Sequence, residues 1–576
     1  MRYYLLGSLM ITLALVSSCK QDKKQNADDE VAKVEARYTC APPTMDTLWY
    51  KSGNKAPLFA GLDVLNYPIT TTNPEANRYF NQGLVLAYGF NHAEAARSFY
   101  YATKLDPESP MCYWGYAYVL GPNYNAGMEP DNYERAYEAI QKAIILSEKG
   151  TVKEQGLIKA LAKRYVQEPV DDRSELDIAY AEAMKDLYLK YPDDPEISTL
   201  YAESIMNLHP WDLQDKEGKD KSWTPEIITL LERLIRKNPD HPGAHHFYIH
   251  ATEASDRPER SMGSAAVFDK GLVPGAGHLL HMPSHTYIRT GDYHLGTLSN
   301  IRAVEADSLY TTQCHAQGAY PLAYYPHNYH FMAATATLEG NYYYAMLGAN
   351  KLAEGVHPDI MKSPGWGTVQ HYYVTPYYVA IKFGKWEEIL DMRLKNYGLP
   401  YVEAIEAYAR GMALLGVRKP EKAKDELIKL ERISEDPTLE EVSIWDINTV
   451  VPVVQIAKRV LRAEIMASEK RYDESLVLLK EAVALEDGLN YNEPPDWFFS
   501  VRHHLGAVQI EAALYKDAVE TYKQDLETFP KNGWAQHGLK LAYEKAGMQS
   551  EASEIDTMLK ESWATADTDI LSSRIK

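Results

Sequence analysis

The sequence predicts an all-α fold made of repeated pairs of antiparallel helices. From about Asn73 onward, apolar and small residues recur at helical spacing, and runs that alternate apolar and polar residues, as strands do, are almost absent. Short turns interrupt this pattern about every 15 residues. Small residues also return at fixed intervals, which predicts helices that approach one another closely in pairs.

The first 18 residues have the features of a lipoprotein signal peptide. Arg2 supplies a positive charge, Leu5 to Val16 forms a short apolar run, and two small residues precede Cys19. The run is too short for a mature membrane-spanning helix, which needs about 20 apolar residues. We therefore expect cleavage before Cys19 and lipid attachment to it, although Val16 stands where Leu is usual. An uncleaved signal anchor is the alternative.

These features divide the chain into four segments. Residues 1–18 are the predicted signal peptide, and residues 19–55 are the lipidated cysteine with a charged, flexible tether. Residues 56–565 form the predicted solenoid, and residues 566–576 are a tail. The expected location is the bacterial cell envelope, at the periplasmic face or the outer-membrane surface.

The first helix pair carries the clearest repeat. If Gly83 is position 8 of a 34-residue unit, Ala95 falls at position 20, Phe99 at 24, Ala102 at 27 and Pro107 at 32. This is the tetratricopeptide pattern. Small residues at positions 8, 20 and 27 let two helices pack closely, and the proline ends the second helix. An all-α, tetratricopeptide-type solenoid follows from this spacing.

Later units keep parts of the pattern. Gly411 and Ala423 are 12 residues apart, as positions 8 and 20 require. Near the C-terminus the pattern returns in Gly506, Ala518, Tyr522 and Pro530, but Asp525 replaces the small residue at position 27. The second unit has a long internal turn, Gly121 to Asn132, which a solenoid can accommodate on one rim.

Composition excludes several function classes. The net charge of −20 opposes binding to a phosphate backbone, so we expect no nucleic-acid partner. Besides Cys19 the chain has Cys40, Cys112 and Cys314, and no CxxC motif. This set signals neither a disulfide framework nor a thiolate zinc site, and the pairing of the three cannot be assigned.

Several stretches resemble a family of large bacterial tetratricopeptide-repeat lipoproteins of the cell envelope, whose biochemical function is unsettled. The resemblance spans roughly residues 56 to 545, and it implies a right-handed superhelix of helix pairs. It also implies that positions 2, 5, 9, 12 and 13 of each first helix line a concave groove. The matching stretches are PITTTNPEANRYFNQGLVLAYGFNHAEAARSF, HHFYIHATEAS, HLLHMPSHTYIRTGDY, YYPHNYHF and EPPDWFFSVRHHLG.

Histidines are concentrated in the middle of the chain. Two consecutive units carry His at positions 5 and 9, namely His246 with His250 and His281 with His285, and Glu253 falls at position 12 of the first. Residues four apart share one helix face, so the resemblance directs these side chains into one hollow. Imidazoles with a carboxylate are ligands that first-row metals prefer. Weaker groove candidates are His327, His330, His371 and Glu203.

The sequence leaves three interpretations of this cluster open. The five residues could bind a divalent transition metal, Zn, Cu, Ni, Mn or Fe. They could line a metal-free polar groove that binds a protein, peptide or small ligand, or they could only pack the helices. The default function is therefore a membrane-anchored binding protein, and the alternative is a metal-binding protein or metal-dependent enzyme. No motif indicates a specific reaction, so the sequence favours a binding protein over an enzyme and leaves enzymatic activity open.

Overall fold

A computed structural model describes residues 47–313 and 320–574. In these residues the protein is an all-α solenoid of tetratricopeptide type, as predicted, with one hairpin of two-residue strands. The first half of the described chain contains α1 (Thr47–Ser52), α2 (Pro74–Tyr88), α3 (His92–Leu105), α4 (Pro110–Val119), α5 (Tyr133–Leu146), α6 (Val152–Leu161), α7 (Ser174–Lys190), α8 (Pro195–Leu208), α9 (Thr224–Lys237), α10 (Pro242–Thr252), α11 (Met262–Asp269), α12 (Gly277–His281) and α13 (Pro283–Thr290).

The second half has longer helices and the hairpin. It contains α14 (Tyr293–Gln313), α15 (Tyr325–Leu338), α16 (Tyr342–Gly355), α17 (Pro358–Met361), α18 (Gly367–Lys382), α19 (Trp386–Asp391), α20 (Pro400–Gly416), α21 (Pro420–Ile433), β1 (Ser443–Ile444), β2 (Asn448–Thr449), α22 (Val450–Ser468), α23 (Tyr472–Asp487), α24 (Arg502–Glu511), α25 (Tyr515–Thr528), α26 (Gly533–Ala546) and α27 (Gln549–Ser562). The strands pair antiparallel, Ser443 with Thr449 and Ile444 with Asn448. Short 3₁₀ turns and a π-helical turn, Tyr320–Tyr324, complete the described elements.

Glycines let neighbouring helices pack closely around an aromatic ring, and one of them is the Gly83 that the sequence places at position 8. The ring of Phe99 on α3 lies between Gly83 of α2 and Gly115 of α4. A Cβ atom at Gly83 would lie 2.7 Å from the ring, and one at Gly115 only 2.3 Å. Any side chain at either position would therefore push the aromatic ring out of a fully buried site.

The same arrangement returns at the other end of the solenoid. The Tyr522 ring on α25 lies between Gly506 of α24 and Gly538 of α26. Asp525, the exception to the small-residue rule, is buried because His503 Nε2 and Asn532 Nδ2 both contact its Oδ2, each at 3.0 Å. Polar partners thus replace the close helix contact that an alanine would give at that position.

Both ends of the solenoid pack against its middle. At the N-terminal side α2 contacts α10, and Gly275 N donates to Gly61 O. At the C-terminal side the Trp534 indole donates to Thr337 O at 2.8 Å, and the Tyr293 hydroxyl donates to Pro530 O at 2.7 Å. These contacts close the middle of the solenoid on two sides, so the histidine-rich helices lie inside the fold.

The described structure extends beyond the predicted solenoid on both sides. The expected tether, residues 19–55, includes α1, where the Tyr50 ring packs edge-on against Tyr100 at 4.9 Å. The expected tail, residues 566–576, is tied down at its described part, since Lys382 Nζ donates to Ser573 O at 2.8 Å and Arg574 pairs with Glu464. In both segments an aromatic or basic side chain finds partners on neighbouring helices, which a compositional argument does not detect.

Several expectations concern residues outside the described ranges. Cys19, Cys40, Cys314 and the signal peptide all lie there. Cys112 is a free thiol on α4, and burial raises its pKa to about 12. Among the described helices, none combines the length and apolarity that a membrane crossing requires.

Candidate metal centre

Six imidazoles from three neighbouring regions of the solenoid meet in two groups of three. We call them the first triad (His246, His250, His278) and the second triad (His281, His285, His327). Within each triad the potential ligand nitrogens lie no more than 4.8 Å from one another, and all six side chains are buried. Three nitrogens bound to one metal at about 2.1 Å have spacings of about 3.4 Å, so each triad fits an ion after small ring movements.

The local structure explains why the first triad converges. α10 begins with a proline after His241, whose Nδ1 accepts from Ala244 N at 3.1 Å and caps the helix. His246 and His250 lie one turn apart on this helix and present their rings to the same side. His278, on α12, packs edge-on against His246 with 5.0 Å between ring centroids.

The second triad is built from the kinked first helix of the next unit and from α15. Pro283 separates α12 from α13, and His281 and His285 lie on either side of it. Their Nε2 atoms are 2.9 Å apart. His327, in the first turn of α15, completes the triad with 4.9 Å between its ring centroid and that of His281.

Acceptors behind the rings orient four of the six imidazoles. His246 Nδ1 donates to Tyr88 O at 2.5 Å, and His281 Nδ1 donates to Asn300 Oδ1 at 2.8 Å. A ring that donates from Nδ1 keeps a lone pair on Nε2, and this is how metal-binding histidines are usually held. His246 Nε2 therefore presents a lone pair to the first triad, and His281 Nε2 presents one to the second.

Glu253 connects the two triads from behind. Its Oε1 lies 3.1 Å from His250 Nδ1, and its Oε2 lies 2.8 Å from His285 Nδ1. A second carboxylate, Glu493, accepts from the same His285 nitrogen at 2.9 Å. Glu253, Glu493 and His285 could themselves hold an ion. The carboxylates face Nδ1, however, which leaves His285 Nε2 for the second triad, so the geometry favours an orienting role for both glutamates.

Several ring nitrogens are buried without a partner. Among the described residues, Nε2 of His246 and of His250, and both nitrogens of His278, have no hydrogen-bond partner in the protein, and neither does His327 Nδ1. Each buried polar atom left unpaired costs about 1–3 kcal/mol. A cation bound to the lone pairs of these nitrogens would compensate for the missing hydrogen bonds.

The protonation states suit metal binding. Burial lowers the pKa of five rings below the ordinary value, so they are neutral and keep a free lone pair; these are His246, His250, His278, His281 and His327. Burial acts in the same direction on His285, but the Glu253 and Glu493 carboxylates outweigh it and raise its pKa to about 10. Without an ion, His285 is therefore an imidazolium whose Nε2 donates to His281.

Aromatic side chains surround the two triads. Phe90, in the turn after α2, has its ring centroid 4.5 Å from that of His246, and Phe331 of α15 lies 4.5 Å from His285. Tyr124, from the long turn of the second unit, lies 5.6 Å from His250. The rim loop predicted between Gly121 and Asn132 thus folds inward and helps to exclude water.

Comparison with known proteins finds solved structures of low similarity. No family model matches this chain, and no curated protein does. Among solved structures, the human IFIT1 dimer with m7Gppp-AAAA covers 86% of this chain and 91% of its own, at 12% identity and a TM-score of 0.31. Yeast Tom70 covers 85% and 90%, at 12% identity and a TM-score of 0.31. The APC/C hetero-tetramer Cut9-Hcn1 covers 85% and 88%, at 12% identity and a TM-score of 0.25.

The predicted site residues separate into two sets. His246, His250, Glu253, His281 and His285 do meet, and His327, a weaker candidate, joins them. They are buried rather than displayed on an open groove, because the N-terminal and C-terminal units of the described solenoid pack against the units that carry them. Metal ligation by this set stays a prediction.

The remaining groove candidates lie outside both triads. His330 and His371 face each other with 5.3 Å between ring centroids, and His371 Nδ1 contacts the Tyr401 hydroxyl at 2.8 Å. Glu203 accepts from the Tyr118 hydroxyl at 2.7 Å.

Two site residues were not among the sequence candidates. His278 lies at position 2 when Ser284 is position 8. Position 2 is one of the groove positions, so the repeat register that identified His281 and His285 could also have identified His278. Glu493 comes from the loop before α24, more than 200 residues from His285. Nothing in the local sequence ties it to the histidines.

Proposed function

We propose that this chain is a transition-metal protein of the bacterial cell envelope that binds two ions, one in each triad. The observation that carries the proposal is the convergence of six buried imidazoles, several with unpaired nitrogens, on two points. Neutral imidazoles suit Zn, Cu, Fe and Ni, whereas Mg and Ca prefer oxygen ligands. Three protein ligands at each ion leave a coordination position open, as catalytic sites do.

Elemental analysis tests the proposal directly. Mature protein purified from its own membrane should contain close to two transition-metal ions per chain. Replacing His250 and His285 together with Ala removes one ligand from each triad and should abolish binding at both. A native preparation without metal that also fails to take up added metal would contradict the proposal.

His245→Gln is the matched control for these variants. His245 is the neighbour of His246 on α10 and is equally buried, but its ring contacts Ser264 Oγ at 2.9 Å and Pro239 O at 2.7 Å, away from both triads. This variant should retain both ions. If it loses them, the effect of the ligand substitutions reflects the stability of α10 and not coordination.

The membrane tether is the second part of the proposal. The apolar run and the small residues before Cys19 support lipid attachment. Cys19→Ala should release the protein from the membrane fraction and remove the mass of the lipid. The metal content should not change, because Cys19 precedes the folded body.

Protein or peptide binding remains a second candidate function. Helix-pair solenoids present long surfaces, and here α5, α6 and α7 expose aliphatic side chains at Ile145, Val152 and Leu189. A partner bound there should stay bound after chelation of the metal, since the buried triads do not contribute to that surface. A partner lost on chelation would instead assign the binding to the metal-loaded state.

A further inference from the structure

The two triads are close enough to act as one centre. The His250 and His285 ring centroids, from different triads, are 5.4 Å apart, and those of His278 and His281 are 5.5 Å apart. Rings of the two triads are therefore in van der Waals contact, and no other residue separates them at these points. Two ions held by these nitrogens share a single cage, within reach of one bridging molecule.

Access to the cage selects for small molecules. Phe90 contacts three of the six imidazoles, with ring centroids 4.5 to 5.8 Å away, and Phe331 contacts all three of the second triad. The most exposed of the six histidines, His327, has only 8% of its surface accessible. A peptide or other extended substrate cannot approach the ions without unpacking these rings. A diatomic molecule can diffuse in through small fluctuations.

The buried charge limits which ions the cage can hold. The six imidazole ligands are neutral when they bind metal, so among the described residues the carboxylates that contact them are Glu253 and Glu493, both buried. Together these carboxylates supply a charge of at most −2, which balances no more than two singly charged ions. Arg289, which stacks over the Tyr491 ring at 5.5 Å, is partly exposed to solvent, where its charge is screened. Copper(I) is the singly charged ion that imidazole nitrogens hold well.

We propose that the centre binds dioxygen between two copper(I) ions, an inference that rests on the metal site proposed above. Each copper(I) gives one electron and becomes copper(II). Dioxygen accepts both electrons, keeps a single O–O bond as peroxide, and forms bonds to both ions. No proton moves. The ions gain a charge of +2 and the peroxide carries −2, so the total charge in the cage is the same before and after binding. A buried site favours such a charge-neutral change.

The experiment uses the full mature chain, loaded with copper(I) without oxygen and then exposed to dioxygen. We expect two copper ions per chain, uptake of one dioxygen for every two copper ions, and a new near-ultraviolet absorption band. The O–O stretching vibration should shift to lower frequency with heavy-isotope dioxygen. Removing dioxygen under vacuum should reverse the band, because no proton transfer traps the peroxide.

His327→Ala tests whether dioxygen binding needs two copper ions or only one. It removes a ligand of the second triad alone and should leave one copper ion bound, with no dioxygen uptake. His245→Gln should behave as the unchanged protein does, and circular dichroism of both variants checks that they fold. Retention of full dioxygen uptake by a folded His327→Ala variant that binds one copper ion would overturn the proposal.

The outcomes distinguish this inference from the function on which it rests. Two bound copper(I) ions without dioxygen uptake would overturn dioxygen binding and leave the metal site intact. A native protein that holds two zinc ions and does not bind copper(I) would do the same. A chain that binds no transition metal would remove both proposals together.

Discussion

Glu253 offers the sharpest test of the centre, because it contacts one imidazole of each triad. Its Oε1 and Oε2 lie 3.1 Å and 2.8 Å from His250 Nδ1 and His285 Nδ1. In Glu253→Gln the side chain keeps nearly the same size, but one oxygen becomes an amide group that donates and cannot accept. His285 Nδ1 still has Glu493 as an acceptor. The negative charge that Glu253 places behind both rings is lost, however, and one of its two contacts becomes a donor facing a donor.

The expected effect is a loss of metal affinity at both sites. Removing an outer partner of a ligating histidine typically costs 10- to 100-fold in affinity, or about 1.4 to 2.7 kcal/mol. Glu253→Gln should therefore lower the affinity of both sites for metal by that factor. Glu493→Gln should weaken only the second triad, because Glu493 contacts His285 and no imidazole of the first triad among the described contacts.

Competition with a chelator of known affinity measures the two dissociation constants. Glu339→Gln is the matched control, since Glu339 is a buried carboxylate that pairs with His294 Nδ1 at 2.8 Å, outside both triads. It should leave both constants unchanged. Wild-type affinity at both sites in Glu253→Gln, or a loss confined to one site, would refute the bridging role.

Three further predictions follow from the same structure. Metal at a free concentration 100 times its dissociation constant should raise the free energy of unfolding by about 2.7 kcal/mol per site. The increase should appear as a higher Tm. A variant that carries both His250→Ala and His285→Ala should not show this increase. Gly83→Ala should destabilise the protein by about 1–3 kcal/mol in urea unfolding, because its Cβ would meet the Phe99 ring at 2.7 Å. Gly263→Ala, in a helix with open space around it, should be neutral or stabilising. Burial raises the pKa of Asp307 from 3.8 to about 7, so the folded state keeps a proton that the unfolded state loses. Stability should fall by up to about 4 kcal/mol as pH rises from 4 to 7, and Asp307→Asn should flatten that slope.

Asp307→Asn can fold because its neighbour can adapt. The carboxylate accepts from the Tyr320 hydroxyl and from Asn328 Nδ2, both at 2.7 Å. Asn328 Oδ1 has no partner in the described protein, so a flipped Asn328 amide can accept from the new side-chain amide. An unchanged pH slope in a folded Asp307→Asn protein would assign the slope to other buried carboxyl groups.

The sequence predicts the helix pairs well because their packing is local. Gly83 and Phe99 are 16 residues apart and meet within one unit, and the tetratricopeptide spacing describes that contact. The same register aligned His246 with His281 and His250 with His285. These residues do come together, since neighbouring units of a solenoid repeat the same geometry.

What the sequence does not predict comes from contacts between distant units. The repeat register predicts an open groove. In the structure, Phe90 from the first unit and Glu493 from near the last unit both contact the histidines. Closure depends on how far the solenoid turns per unit, and small deviations accumulate over many units. The spacing within one repeat does not determine the total rotation over many repeats, so burial of the site could not be predicted from the repeat pattern.

Because the solenoid closes around the centre, a bound ion pair should couple its N-terminal units to its C-terminal units. The first triad is held through Tyr88 O and Phe90, which belong to the N-terminal units, and the second is held through Glu493, which belongs to the C-terminal units. An ion pair that bridges the triads favours the arrangement in which both ends lie against the middle. Metal should therefore slow amide exchange at α2 and at the loop before α24 together, although these segments are far apart in sequence. Protection of α10 to α13 alone would show that the ions stabilise only the helices that carry the histidines, and that the solenoid closes without them.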